Sequence, residues 1–299
     1  MTRVAAIDCG TNSIRLLVAD VVGDRLTDLH RELRIVRLGQ GVDRTGVLAP
    51  DALERTFAAL RDYAVLAAGA DRVRMVATSA TRDAANAAEF VAGCEAILGV
   101  RPEVVSGEEE ARLSFVGATT GLTGHDAPYV VCDIGGGSTE FVLGTTSVEA
   151  ARSVDVGCVR LTERRLRSDP PLPAEIEAAV EDVAAAFDLV DVPVERGRTF
   201  VGLAGSVTTV TALALDLASY DPALIEHAVV PVARVEEVTA RLLAMTKAER
   251  LALPVIHEGR ADVIAAGALV LREAMRRWSI PEVVASEHDI LDGIAYSLG

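Results

Sequence analysis

The stretch that most constrains this chain is Val130 to Leu143, which reads Val-Val-Cys-Asp-Ile-Gly-Gly-Gly-Ser-Thr-Glu-Phe-Val-Leu. An apolar run ends at Asp133, passes through Gly135, Gly136, Gly137, Ser138, Thr139 and Glu140, and enters a second apolar run. Short apolar runs flanking a glycine-rich middle predict two buried strands joined by a turn. Adjacent glycines tolerate positive φ and let backbone N–H groups come close to whatever lies above the turn. Such N–H groups form an anion-binding concavity, and a neighbouring carboxylate can hold a cation that bridges to the anion.

The same pattern stands 125 positions earlier. Val4-Ala5-Ala6-Ile7-Asp8-Cys9-Gly10-Thr11-Asn12-Ser13 leads into the apolar run Ile14 to Val22. Asp8 matches Asp133, Gly10 matches Gly135 and Ser13 matches Ser138, with no gap. A duplicated phosphate-type hairpin predicts two related half-molecules facing each other across a central cleft. The chain of 299 residues, half of them hydrophobic, suffices for two domains of ordinary size.

The formal net charge of −15 argues against a nucleic-acid partner. It also requires that any polyanionic ligand be held by local cations. No apolar run has the length of a membrane span, and Met1-Thr2-Arg3 leads straight into a predicted strand with no signal peptide. Cys9, Cys94, Cys132 and Cys158 lie singly among apolar residues, as reduced core thiols do. Together these features predict a cytoplasmic protein without membrane contact. His30, His125, His227, His257 and His288 are scattered and form no metal-ligand motif.

Strand and helix patterns alternate through both halves, which predicts an α/β class. Helices are expected at about Asp51 to Ala68, from a capping box at Asn86-Ala87-Ala88-Glu89, and from Ser106 onward. A hydroxyl of Thr78-Ser79 is expected to cap a short helix. Thr123-Gly124-His125-Asp126-Ala127-Pro128 is the expected domain boundary. Further helices are expected after Gly202 to Thr209 (reaching about Ala218), from Val235 to Met245 and from Arg260 to Trp278, and Ser286-Glu287-His288-Asp289 is expected to cap the last one. The lobes are therefore expected at 1–124 and 125–285, with the segment 286–299 packing back on the first.

The loops Asp8–Ser13, Asp133–Glu140 and Gly202–Thr209 resemble the two phosphate motifs and the third ligand-binding motif of the actin, Hsp70 and sugar-kinase superfold, a duplicated ribonuclease H-like fold. Two more segments, Ala77 to Asn86 and Ser106-Gly107-Glu108-Glu109-Glu110-Ala111-Arg112, are similar to the exopolyphosphatase / guanosine pentaphosphate phosphatase family. The resemblance covers essentially the whole chain and is to the family's short type, without extra C-terminal domains. It implies hydrolysis of a terminal phosphoanhydride bond with magnesium as cofactor. The substrate would be inorganic polyphosphate, or guanosine pentaphosphate of the stringent response, and homodimerisation is implied by the family alone. Where long members carry Leu-Arg-Glu-Gly, this chain reads Ile290-Leu291-Asp292-Gly293, so the family arginine is absent.

Such hydrolysis needs neutralised phosphoryl oxygens, an aligned water and a base. Gly10, Thr11, Asn12, Ser13, Gly135, Gly136, Gly137, Ser138 and Thr139 can supply N–H and hydroxyl donors. Asp8 and Asp133 either hold magnesium or shape their own turns. In the Ser106 helix, capping accounts for Glu109 and the helix dipole for Glu108, but neither accounts for Glu110. The resemblance independently puts the catalytic glutamate at Glu110. Glu140 orients water or metal, or is a plain salt-bridge partner. Arg82 and Arg15 either contact phosphate or are solvated. Gly205 and Ser206 open a helix, where anions bind. Arg160, Arg164, Arg165 and Arg167 either line a channel or form a solvated face. In Arg260-Ala261-Asp262 a helix-start ion pair is expected. A kinase of the same superfold and a non-catalytic polyphosphate or alarmone sensor are the competing functions.

Overall fold

The computed structural model describes all residues, Met1–Gly299. The chain forms two compact units, Met1–Gly121 with Asp289–Gly299, and Leu122–His288. The first division precedes the Thr123–Pro128 stretch, and the second leaves Ser286–His288 with the second unit.

The first unit carries a five-stranded sheet in the order β3-β2-β1-β4-β5. Its strands are β1 (Thr2–Cys9), β2 (Ser13–Val22), β3 (Arg25–Ile35), β4 (Arg72–Ala77) and β5 (Glu103–Val104). The first three are antiparallel, and β4 and β5 continue the sheet parallel to β1. Alternation along β1 and β2 gives each face its own core. Ala5, Ile7, Ile14 and Leu16 pack with Leu60, Tyr63 and Phe90, whereas Val4, Ala6, Leu17 and Ala19 pack with Leu113 and Ile294. The first face takes the Pro50–Ala67 and Ala87–Leu98 helices, and the second takes the Gly107–Thr119 and Ile290–Tyr296 helices.

Those last two helices touch at backbone level. A Cβ at Gly117 would lie 1.8 Å from Asp289 O, and one at Gly293 would lie 2.0 Å from Leu113 O. The helix that carries Glu110 is thereby fixed against the end of the chain.

The second unit repeats the plan as β10-β11-β9-β6-β7-β8. Its strands are β6 (Tyr129–Ile134), β7 (Thr139–Gly144), β8 (Val148–Val154), β9 (Thr199–Leu203), β10 (Val229–Pro231) and β11 (Glu282–Ala285). Again the first three strands are antiparallel and the next two join parallel to β6. The register repeats as well: Asp8 faces Arg15 across β1 and β2, and Asp133 faces Glu140 across β6 and β7. Both partners have moved on by the same 125 positions. No helix of the molecule is long and apolar enough to cross a membrane.

Several expected caps have other partners. Asn86 makes no cap bond, because its amide is exchanged with the backbone of Leu48. Thr78 precedes the Ser79–Arg82 turn without a side-chain cap. The last helix is capped by Asp289 in a box with Asp292, while Ser286 donates to His288 O. Glu109 does not close the Ser106 box; its carboxylate binds Arg112 and Arg74. The Ala204–Ala214, Val232–Ala244 and Ile264–Arg277 helices also differ at their ends from the expected spans.

Candidate active site

In each unit the hairpin turn is built the same way. Gly10 N–H donates to Ser13 O at 2.9 Å, and Gly135 N–H donates to Ser138 O at 3.0 Å. Around both turns the carbonyls are tied down. Thr11 O accepts from Gly39 N–H, and Asn12 O accepts from Val36 and Arg37 N–H. Gly135 O accepts from Cys158 N–H, and Gly136 O from Val159 and Arg160 N–H. Gly137 O accepts from Arg160 Nε at 2.6 Å. A trans peptide points its N–H opposite to its carbonyl. Capturing the three glycine carbonyls on one side therefore turns the N–H groups of Gly136, Gly137 and Ser138 to the other. Three N–H groups sharing one direction form an anion cradle.

The hydroxyls divide between structure and availability. Thr139 Oγ1 donates to Val156 O at 2.6 Å, so that proton is committed to the fold. Ser138 is fully buried and its hydroxyl has no partner. Thr11 Oγ1 shares a hydrogen bond with Ser79 Oγ at 2.9 Å. Thr81 Oγ1, next to Arg82, is buried and unpaired.

The two hairpins differ in charge. In the first unit Arg15 donates to Asp8 Oδ2 from both Nε and Nη2, at 3.0 and 2.6 Å. It also pairs with Asp289, the N-cap of the last helix. Burial pushes the Asp8 carboxyl above its ordinary value, against the pull of Arg15. Asp8 Oδ1 is buried without a partner. Arg15 is thus neither solvated nor open to phosphate alone, since two carboxylates claim it. In the second unit, two buried carboxylates, Asp133 and Glu140, face each other across the ladder, and Ser153 Oγ donates to Glu140 Oε1 at 2.7 Å.

Glu110 lies in the first turn of the Gly107–Thr119 helix and is 8% exposed. Ser106 caps that turn by accepting from Glu109 N–H. Arg82 Nη1 donates to Glu110 Oε2 at 3.2 Å and to Val105 O at 2.9 Å. Its Nε and Nη2 make no hydrogen bond, which leaves donors for a ligand next to the glutamate. The sequence motif around Arg82 and the one around Glu110 therefore meet in one place.

The third loop is closed by a residue that sequence reasoning set aside. Arg260 does not pair with Asp262, which lies 3.9 Å from Lys247. Its guanidinium lies on Gly205, where a Cβ would come within 2.0 Å of it. It donates to Gly205 O at 3.2 Å and has no carboxylate partner. The nearby Ser206 hydroxyl is turned inward onto Gly267, where a Cβ would come within 2.2 Å of it. The only sequence signal for this contact was a glycine that begins a helix, far from the arginine in the chain. The basic run disperses: Arg165 pairs with Asp182, Arg167 donates to Glu163 O and Arg160 serves the glycine loop. Leu291, where long family members carry arginine, is buried in the apolar cluster with Leu113.

The donor chemistry suits a hard cation. No group of three or more His, Cys, Asp or Glu side chains gathers to enclose a metal. A carboxylate pair such as Asp133 and Glu140, or the unpaired Asp8 oxygen, suits an ion that keeps waters and takes phosphate oxygens.

The family model for the Ppx/GppA phosphatase family matches residues 17–298. The chain belongs to that family. Exopolyphosphatase 2 of Mycobacterium tuberculosis is 53% identical over 315 aligned positions, covering 100% of this chain and 99% of the relative. Among solved structures, an exopolyphosphatase-like protein superimposes with a TM-score of 0.95 at 45% identity, covering 100% of this chain and 98% of that one. The Aquifex aeolicus PPX-GPPA enzyme gives 0.83 at 31% identity, covering 99% of each chain. The Cytophaga hutchinsonii exopolyphosphatase gives 0.88 at 26% identity, covering 99% of this chain and 97% of that one. The duplicated, actin-like α/β architecture of this Ppx/GppA enzyme is therefore shared with solved family members, and metal dependence is general in the family.

Proposed function

We propose that this Ppx/GppA phosphatase removes the terminal phosphoryl group of inorganic polyphosphate as orthophosphate. The observation that carries the reading is the Gly135–Ser138 turn, whose three glycine carbonyls are held by Cys158, Val159 and Arg160, beside two buried carboxylates. An anion cradle next to paired acids suits a phosphate held together with a cation, and magnesium is the ion proposed. Asp133 and Glu140 would hold it with its waters. Bound there, the ion would offset charge on the phosphoryl oxygens. In this reading Gly135 to Ser138 orient phosphate in the second unit, while in the first Gly10 to Ser13 and the uncommitted donors of Arg82 are available to phosphate. Glu110 takes the proton from the attacking water. Arg260 adds a cation at Gly205 and Ser206.

The relative named an exopolyphosphatase supports polyphosphate over guanosine pentaphosphate. The test is orthophosphate release from tripolyphosphate, long polyphosphate, guanosine pentaphosphate and ATP, each with and without magnesium. Magnesium-dependent release from polyphosphate is expected. Turnover of guanosine pentaphosphate alone would replace the substrate. Tight binding without any release would make the protein a sensor and overturn the proposal.

A further inference from the structure

Of the three glycine carbonyls in the Gly135–Thr139 turn, two are held by main-chain N–H groups of Cys158, Val159 and Arg160. The third, Gly137 O, is held by a side chain, Arg160 Nε at 2.6 Å. We propose that Arg160 is a positioning residue of this loop. It fixes the Gly137–Ser138 peptide so that the Ser138 N–H is presented to a phosphoryl oxygen.

The physical need for such a holder comes from the glycines. The Gly137–Ser138 peptide turns over by rotation at Gly137 ψ and Ser138 φ, and Gly137 has no Cβ to select one backbone conformation, so only the serine side resists. Turning it over would replace an N–H donor in the cradle with a carbonyl oxygen, which repels an anion. The first two peptides are locked by backbone and cannot be released by a side-chain change. The third depends on one guanidinium nitrogen. The holder reaches the loop because Gly157 allows the Cys158–Arg164 helix to start against it. A Cβ at Gly157 would stand 2.6 Å from Gly136 C and O. The start of this helix is therefore committed to loop carbonyls, and the arginine acts through the loop rather than on the ligand.

The inference rests on reading the loop as a phosphate cradle, and three substitutions test it. The amide nitrogen of glutamine is as many bonds from Cα as Arg Nε, so Arg160→Gln keeps the donor in place and removes the charge. Arg160→Lys keeps the charge and moves the donor, and Arg160→Met removes both. Positioning predicts that Met and Lys lose about 30-fold in kcat on tripolyphosphate with KM little changed, and that Gln recovers most of the loss. A direct contact between charge and substrate predicts the reverse order, with Lys active, Gln inactive, and KM raised and more dependent on salt. That order would overturn the proposal. Should the Met variant not fold, the comparison of Gln with Lys decides alone. If the wild-type protein releases phosphate from no substrate, the functional reading fails, and calorimetric titration with tripolyphosphate reads the loop instead. Weak binding by Lys and Met with recovery in Gln is then expected, and equal affinity in all of them refutes the role of Arg160.

Discussion

Arg15 is the only cation between two buried carboxylates, and its removal should destabilise the first unit in a pH-dependent way. In Arg15→Met the aliphatic stem remains and the guanidinium is lost. Asp289 would keep its cap bond to Leu291 N–H. Asp8 would keep nothing, because Oδ2 loses both donors and Oδ1 already has none. Breaking a buried pair by deleting one partner costs about 3–5 kcal/mol. Arg15 retains 18% side-chain exposure, so the lower end, about 3 kcal/mol at pH 7.5, is expected. Burial already raises the Asp8 carboxyl above its ordinary value, and loss of Arg15 raises it further. A raised acid costs no stability below its unfolded value. The penalty grows as pH rises toward the folded value and is complete above it. The deficit of the variant should therefore shrink between pH 7.5 and pH 5. Urea unfolding of both proteins at the two pH values measures it. Adding Asp8→Asn to the variant should recover at least half of the loss at pH 7.5. A deficit below about 1 kcal/mol, one that is the same at both pH values, or no recovery from Asp8→Asn would refute the reasoning.

Glu110→Gln should reduce phosphate release by at least about 100-fold with a near wild-type melting temperature, whereas Glu109→Gln, which loses only half-exposed ion pairs, should stay active and cost under about 1 kcal/mol; parallel loss of activity would undo the separation. Gly293→Ala puts a methyl group 2.0 Å from Leu113 O, backbone against backbone, and should cost at least about 2 kcal/mol in urea unfolding; a neutral result would mean the helices separate freely. Ser138→Ala removes a buried, unpaired hydroxyl and should leave stability level or raised while phosphate release falls; a loss of stability would show that the hydroxyl is satisfied by the fold. Chelation with EDTA should abolish phosphate release and added magnesium should restore it; turnover that persists in EDTA would remove the cation from the reading.

Local pattern was enough for the hairpins, because alternation and glycine placement act over a few residues and nothing distant competes with them. The strands at Val4, Ile14, Val130 and Phe141 form where apolar alternation put them. Glu110 stood out because no local role used up its carboxylate, and it is the buried acid of its turn. The failures are competitions, some with near neighbours and some with distant partners. Asn86, Ser286 and Glu109 carry the right side chains for caps, yet Leu48, His288 and Arg74 with Arg112 offer them other bonds. Arg260 reaches back across 55 residues to Gly205, and Asp289 across 274 to Arg15. Such pairings depend on how the sheets and helices stack, which no window of sequence contains.

The repeat preserved geometry and changed charge. Both hairpins keep the turn bond, the register and the buried aspartate, but the residue opposite is arginine in one and glutamate in the other. Directly opposed ladder positions bring side chains within roughly 5 Å at Cβ. At that distance an acid and a base satisfy each other, whereas two acids repel. The first hairpin thus carries its own counter-charge, supplied by Arg15 and tied through Asp289 to the helix that buttresses Glu110. The second sets two buried carboxylates opposite each other beside the glycine turn. In a chain with net charge −15, a phosphate beside two carboxylates is disfavoured unless a cation comes with it, which is why the proposed function pairs the two.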